Sequence, residues 1–317
     1  LDANTTASYN VAIGYASLGA TTTGDENVAV GDNALAANTT GQDNTAVGTS
    51  ALNANTTATK NTAVGFGSLN AATTGAYNTA VGADAGNDIT TGNYNAILGS
   101  LAGDALTDAD FNVAVGYHAL SSDTLGSRTT AVGQGALFSQ NFTSATDTNN
   151  TAVGYAAGVN LTTGIRNTLI GANAGDSITD ADNNVAVGMN ALQTNQQGSQ
   201  NIAIGREALA SMNPSGAANT YNTAVGADAG FAVTTGVQNT LIGGLAGDAI
   251  TTAPNNTAVG YAALGATTTG DNNTGVGRTA LSSNTTGADN TAVGKDALAT
   301  STTGNYNTAI GKGALVS

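Results

Sequence analysis

Apolar residues in this chain come in short alternating phrases instead of helical stripes. A phrase close to Asn-(Thr/Val)-Ala-(Val/Ile)-Gly begins at Asn10, Asn27, Asn44, Asn61, Asn78, Asn95 and Asn112. It continues at Thr129, Asn150, Asn167, Asn184 and Asn201, then at Asn222, Asn239, Asn256, Asn273, Asn290 and Asn307. The step is 17 residues, with two steps of 21, and there are 18 copies. Seventeen residues are too few for a helical hairpin, and alternation around Val-Gly favours a strand. The pattern therefore predicts one strand per copy, each stacked parallel on the next: an all-β parallel β-solenoid, or β-roll, of about 18 coils. Residues 1–317 are expected to form one continuous repeat domain. At about 4.8 Å per coil, the rod would be on the order of 85 Å long.

Each conserved feature of the copy has a structural expectation. Val30, Val47, Val64 and their equivalents are Val, Ile or Leu in every copy and are expected to form an internal ladder. Gly31, Gly48 and Gly65 belong to a column that is glycine in all 18 copies, which predicts a tight bend or a close backbone approach. Thr39-Thr40-Gly41, Thr90-Thr91-Gly92 and Thr302-Thr303-Gly304 mark a second bend. Asparagine opens 17 of the 18 copies and is expected to build an amide ladder, each side chain bonding its neighbours above and below. The two long steps place their extra residues near Asn141–Thr148 and Asn213–Thr220, where a loop can bulge without changing register.

A longer period lies over the first. Most copies carry Ala-Leu after the phrase, but Gly86, Gly103, Gly158, Gly175, Gly230 and Gly247 replace the leucine, in adjacent pairs. Three residues later these copies gain Ile89, Leu106, Leu161, Ile178, Val233 and Ile250, where others carry residues such as Asn38 or Asn55. Deleting a buried leucine costs about 2–5 kcal/mol unless the volume is refilled. The exchange predicts that both positions reach one core space. The second copy of each pair also enlarges its strand alanine, to Ile97, Leu169 and Leu241.

Composition narrows the class. Glycine supplies 43 of the 317 residues, proline 2, cysteine and tryptophan none, and 40% are hydrophobic, so the chain should fold around small side chains. With 7 cations against 21 anions the net charge is −14, which repels phosphate backbones and anionic lipids, so neither nucleic acid nor a membrane surface is an expected partner. No apolar run approaches the roughly 20 residues that span a bilayer. The chain opens at Leu1 without an initiator Met and stops partway through a copy, which reads as a processed part or fragment of a longer fibre. One aliphatic and one leucine per coil is a thin core. Lateral association of solenoids, as a homotrimer first of all, is the expected remedy.

Asn10-Val11-Ala12-Ile13-Gly14, Asn27-Val28-Ala29-Val30-Gly31 and Asn201-Ile202-Ala203-Ile204-Gly205 resemble the Ser-Val-Ala-Ile-Gly motif of YadA-like trimeric autotransporter adhesin heads. The longer unit from Asn256 to Leu264 also resembles repeats of phage tail fibres. The resemblance covers essentially the whole chain. It implies a left-handed, trimeric β-roll displayed outside a cell or on a virion, with a structural or adhesive role toward host-surface glycans or matrix. The 17-residue coil is longer than the usual repeat of those heads, and residues 1–317 read as repeat alone, with no stretch resembling a neck, stalk, anchor or chaperone tip.

Candidate chemistry is sparse. His118 is the one histidine and reads as a surface variant; with no cysteine and no serine beside a repeated catalytic partner, catalysis is not expected. Asp104, Asp108 and Asp110 recur as Asp176, Asp180 and Asp182, hard oxygen ligands of the type calcium takes; the plainer reading is acidic turns that keep a fibre soluble. Thr22, Thr39, Thr56, Thr73, Thr90 and Thr107 form a column that raises an ice-binding alternative, against the simpler reading of turn residues. Tyr15, Tyr117, Tyr155 and Tyr261, with Phe66, follow the constant glycine and could offer stacking surfaces to sugars or pack at corners. Tyr77, Tyr94, Phe111, Tyr221 and Tyr306 precede the anchor asparagine. The sequons at Asn38, Asn55 and Asn284 read as by-products of composition.

Overall fold

The computed structural model describes residues 3–316, and among them there is no helix. By internal contacts the chain divides into two compact units, Leu1–Ala156 and Ala157–Ser317. Each is a parallel β-solenoid of nine turns with one three-residue strand per turn. The first unit stacks Val11–Ile13 and Val28–Val30 through to Thr151–Val153; the second runs from Thr168–Ile170 to Thr308–Ile310. Pairing is parallel and in register, Ala29 on Ala46 on Ala63 in the first unit and Ala258 on Gly275 on Ala292 in the second.

The valine column is a correction to the sequence reading. Ala29, Ala46 and Ala63 are fully buried, whereas Val30 and Val64 are half-buried and Val47 is exposed. Leu98, Ile170, Ile204 and Ile242 of the same column are exposed as well. The valines do stack, but on the outside. The reason is parity. Side chains alternate along a strand, and the anchor asparagine turns inward, which sends the alanine in and both its neighbours out.

What holds the asparagine inside is its hydrogen bonding. Asn27 Oδ1 accepts the backbone N–H of Asn44 at 3.0 Å and the Asn44 side-chain amide at 3.1 Å. Its own Nδ2 donates to the Gly41 carbonyl at 2.9 Å. Asn61, Asn78, Asn95 and Asn112 pass the same bond from backbone to amide down the stack. The expected ladder is present, though half of it runs to main chain. A buried amide with these partners fixes the coil's height and its inward face together. Where Thr129 replaces asparagine, Thr148 and Gln140 take over: Thr129 Oγ1 lies 2.7 Å from Thr148 Oγ1, and Gln140 Nε2 donates to it at 3.1 Å.

The leucine exchange is visible atom by atom. Leu35, Leu52, Leu69 and Leu209 are buried in left-handed backbone, with φ of 51°, 51°, 50° and 50°. A leucine there is held by packing against a conformational cost of about 1–2 kcal/mol. A Cβ placed on Gly86 would come within 3.0 Å of Ile89 and 3.2 Å of Leu69. The preceding leucine and the new isoleucine therefore share its space. Gly103 follows Gly86, which has no leucine to lend, and its space is filled by Ile97 and Leu106 instead. Leu169 with Ile178 at Gly175, and Leu241 with Ile250 at Gly247, repeat the solution. That is why only the second copy of a pair enlarges its alanine.

At the constant glycine both expected reasons apply. Gly31 has φ of +138°, and a Cβ would stand 2.5 Å from the Gly48 carbonyl oxygen. The insertions rejoin the stack through Thr146–Asp147 on Gly126–Ser127 and Ala218–Asn219 on Gly198–Ser199. The strand register then resumes, Thr151 on Thr130 and Thr223 on Ile202.

Candidate functional site

In each unit the outward side of the strand continues past both its ends, through the left-handed residue before the anchor and the positive-φ glycine, into a broad outward face. The residue before the anchor, the first and third strand residues and the residue after the glycine all point out. The first full coil shows it plainly: Tyr9, Val11, Ile13 and Tyr15 are 84%, 45%, 60% and 79% exposed, while Ala12 between them is not. Nearly every other exposed large apolar side chain falls in these four columns, among them Phe66, Leu98, Tyr117 and Tyr155 in the first unit and Ile170, Met189, Ile204 and Tyr261 in the second. Phe138, Phe231 and Val316, on the corner after the leucine or glycine, and Leu315 are exceptions. Of the four columns only that of the third strand residue is Val, Ile or Leu in every coil; the first strand residue is mostly threonine, and the edges mix aromatic with charged and polar side chains.

Four candidate tyrosines lie on this face. Tyr15, Tyr117, Tyr155 and Tyr261 are all exposed, but the structure does not join them into a ladder; Gln134 separates Tyr117 from Tyr155. The edge column before the anchor behaves differently. Tyr77 stacks on Tyr94 at 5.0 Å and Tyr94 on Phe111 at 5.1 Å, nearly parallel, with Lys60 over the outer face of Tyr77 and the Arg128 guanidinium over Phe111. These ring faces are covered by each other and by cations, so only edges meet solvent. This is packing between coils, worth about 0.5–1.5 kcal/mol per pair.

The candidate calcium carboxylates act mainly as acceptors within the stack. Asp110 Oδ1 accepts the Asn93 N–H at 2.6 Å and Asp182 Oδ1 the Ile165 N–H at 2.8 Å. Asp108 accepts the Thr91 hydroxyl, Asp180 that of Thr179 and the Gln197 amide, and Asp176 the Asn160 amide. Asp104, like its equivalent Asp176, lies on another corner, directly after the paired glycine. Burial pushes the Asp104 carboxyl above the ordinary value; its own backbone N–H and then His118 oppose this, and the charges of Asp88 and Asp84 add to it. Asp104 Oδ1 and His118 Nδ1 are buried without hydrogen-bond partners, and the His118 ring is wedged edge-on between Tyr117 and Phe138. Among the described residues, no three His, Cys, Asp or Glu side chains converge as a metal site.

The turn threonines spend their hydroxyl protons inside the stack. Thr22 donates to the Thr39 carbonyl, and Thr39, Thr56, Thr73 and Thr90 each to the threonine of the next coil. That column is half-buried and is not a free plane of hydroxyls. Asn38, Asn55 and Asn284 are fully buried, so no oligosaccharide can reach them in the folded chain.

Sequence reasoning missed an open cleft of about 250 Å³ in the second unit, lined by Arg206, Glu207, Asp228, Phe231, Leu245 and Asp248. Arg206 bridges Glu207 at 3.0 Å and Asp228 at 2.6 Å. Burial, and then the Asp228 charge, hold the Asp248 carboxyl above its ordinary value. The available signal was the glycine-pair coils, where Asp84 and Asp104 recur as Asp228 and Asp248. It also missed the outward face itself, whose signal was parity. No helix among the described residues is long and apolar enough to cross a membrane. Comparison with known proteins gave no match to a family model and no match to a curated protein sequence.

Proposed function

We propose that this chain is a structural, adhesive segment of an extracellular fibre, working without catalysis as a laterally associated homotrimer on a cell or virion surface. One observation carries the reading: in both units the column of third strand residues, Val, Ile or Leu in every coil, faces outward, with exposed aromatic side chains beside it in several coils. A coil interior of alanine, leucine and asparagine leaves the strand's valines and isoleucines outside, and a second copy of the chain would remove them from water at about 25 cal/mol per Å² of apolar surface covered. The resemblance of Asn27-Val28-Ala29-Val30-Gly31 and its equivalents to trimeric adhesin heads supports the same arrangement and the surface location.

The test is the mass of the native particle by light scattering and native mass spectrometry. A trimer is expected, and Leu98→Asp with Ile204→Asp, both on the exposed face, should dissociate it while leaving the β-sheet circular dichroism unchanged. A monomer at micromolar concentration would sink the proposal.

A further inference from the structure

We infer that the row Tyr261, Arg278, Lys295 and Lys312 is a binding site for a linear anionic glycan, a polymer of carboxylated or sulfated sugars laid along the stack. The inference rests on the adhesive reading above and names a ligand for it; the row lies wholly within the second unit.

Each of the four residues follows a constant glycine, and they stand one above another. The Tyr261 carbonyl accepts the Thr279 N–H at 2.9 Å, that of Arg278 the Asp296 N–H at 3.0 Å, and that of Lys295 the Gly313 N–H at 2.9 Å. One coil of rise, about 4.8 Å, therefore separates neighbours. All four side chains are exposed. Three cations stacked in this way repel one another, and the position does not demand them, since Ala227 and Gly244 hold it in the two coils before Tyr261.

The row also runs against the charge of the chain. Residues 1–272 hold four cations and nineteen anions, residues 273–317 three cations and two anions. The four cations of the first stretch are engaged: Arg128 pairs with Asp147 at 3.0 Å, Arg206 with Glu207 and Asp228, Arg166 Nε donates to Asn183 at 2.8 Å, and Lys60 lies over Tyr77. Within the row Lys295 meets Asp296 at 3.5 Å, a carboxylate that also accepts the Thr279 hydroxyl. Arg278 and Lys312 make no ion pair among the described residues.

Tyr261 supplies an apolar end. It is 55% exposed, and its Cδ2 stands 3.7 Å from where a Cβ on Gly244 would lie, so the ring spreads over the bare glycine of the coil before. Among the described residues no second ring or cation covers it, in contrast to Tyr77 and Tyr94. An open ring in line with cations suits a sugar chain, whose units pair an apolar ring face with a charged group. The rise of one coil is close to the length of one such unit. A nucleic-acid strand, with a charge about every 3.4 Å, falls out of step with the row.

The native particle would be offered immobilised dextran sulfate, polygalacturonate, unmodified dextran and an oligothymidylate strand. Retention on the two anionic glycans is expected, and the tighter of them identifies sulfate or carboxylate as the group bound. Affinity should fall about 15-fold between about 50 and about 200 mM salt, as release of counterions at three contacts requires. Arg278→Gln with Lys295→Gln and Lys312→Gln should abolish binding with circular dichroism unchanged. Lys60→Gln with Arg166→Gln, which removes cations elsewhere, should leave it intact. Tyr261→Ala should weaken binding without changing its salt dependence. Equal retention on unmodified dextran, tighter retention on oligothymidylate, or equal loss in the two cation variants would each overturn the inference, as would a particle of trimeric mass that ignores both anionic polymers. A monomeric mass bears on the lateral association alone, because the row belongs to one chain.

Discussion

Ile97→Ala separates the inner and outer columns of the strand more sharply than any other single change. Ile97 is 1% exposed, and its Cδ1 stands 3.1 Å from where a Cβ on Gly103 would lie, filling the space that a leucine occupies in ordinary coils. The substitution deletes three buried carbons, about 2.4 kcal/mol at roughly 0.8 kcal/mol each. Gly86 above and Gly103 beside it have no side chain to move in, so the cavity stays open, and the total should reach about 3–4 kcal/mol. Val64→Ala, on the half-buried outer column, should cost an unassociated chain less than about 1 kcal/mol. The assay is denaturant unfolding of dissociated chains together with amide exchange across coils 78–111. Protection there should fall for Ile97→Ala, and protection across Val64's own coil, 61–77, should hold for Val64→Ala. Equal losses for the two variants would refute the assignment of alanine inside and valine outside.

Three further outcomes follow from the same geometry. Gly31→Ala should cost about 3 kcal/mol or more, because it combines φ of +138° with a Cβ 2.5 Å from a carbonyl oxygen, and exchange should localise the opening to the Gly31 and Gly48 coils. Asn44→Ala orphans the Asn61 N–H, while the Ala58 carbonyl keeps the Asn55 amide, and should cost about 1–3 kcal/mol, read by the same unfolding assay. Asp123 is fully buried, and burial holds its carboxyl above the ordinary value of 3.8 although Phe142 N–H, Gln140 and Gly126 N–H pull it down. The folded state thus binds the proton more tightly than the unfolded chain: its contribution to stability is complete below the ordinary value and is lost as pH rises through the folded one. The melting temperature of Asp123→Asn relative to the parent should therefore climb as pH is raised from about 3 to about 7, and a flat difference would contradict the burial argument.

Much of the fold was legible because a coil is a local unit repeated. The step of 17 residues, the parallel stack, the harmless position of the insertions at Asn141–Thr148 and Asn213–Thr220, and the refilling of Gly86 by Ile89 all follow from comparing a copy with its neighbours. Comparison of this kind needs only sequence, since equivalent residues must stand above one another. The candidate sites were less legible. Asp110 and Asp182 carry the residue type that binds calcium, but whether a carboxylate faces a cation or the N–H of the coil beside it depends on where that N–H lies.

By itself, then, the sequence determined the period, the register and the conservation of core volume, because stacking makes each copy the environment of the next. Only the tertiary structure decided which side of the strand is the interior. Hydrophobicity argued for Val30, and the buried amide of Asn27 overruled it: an asparagine whose side chain makes four hydrogen bonds sets the alternation. The aliphatic column was left facing outward as the surface on which the proposed function rests.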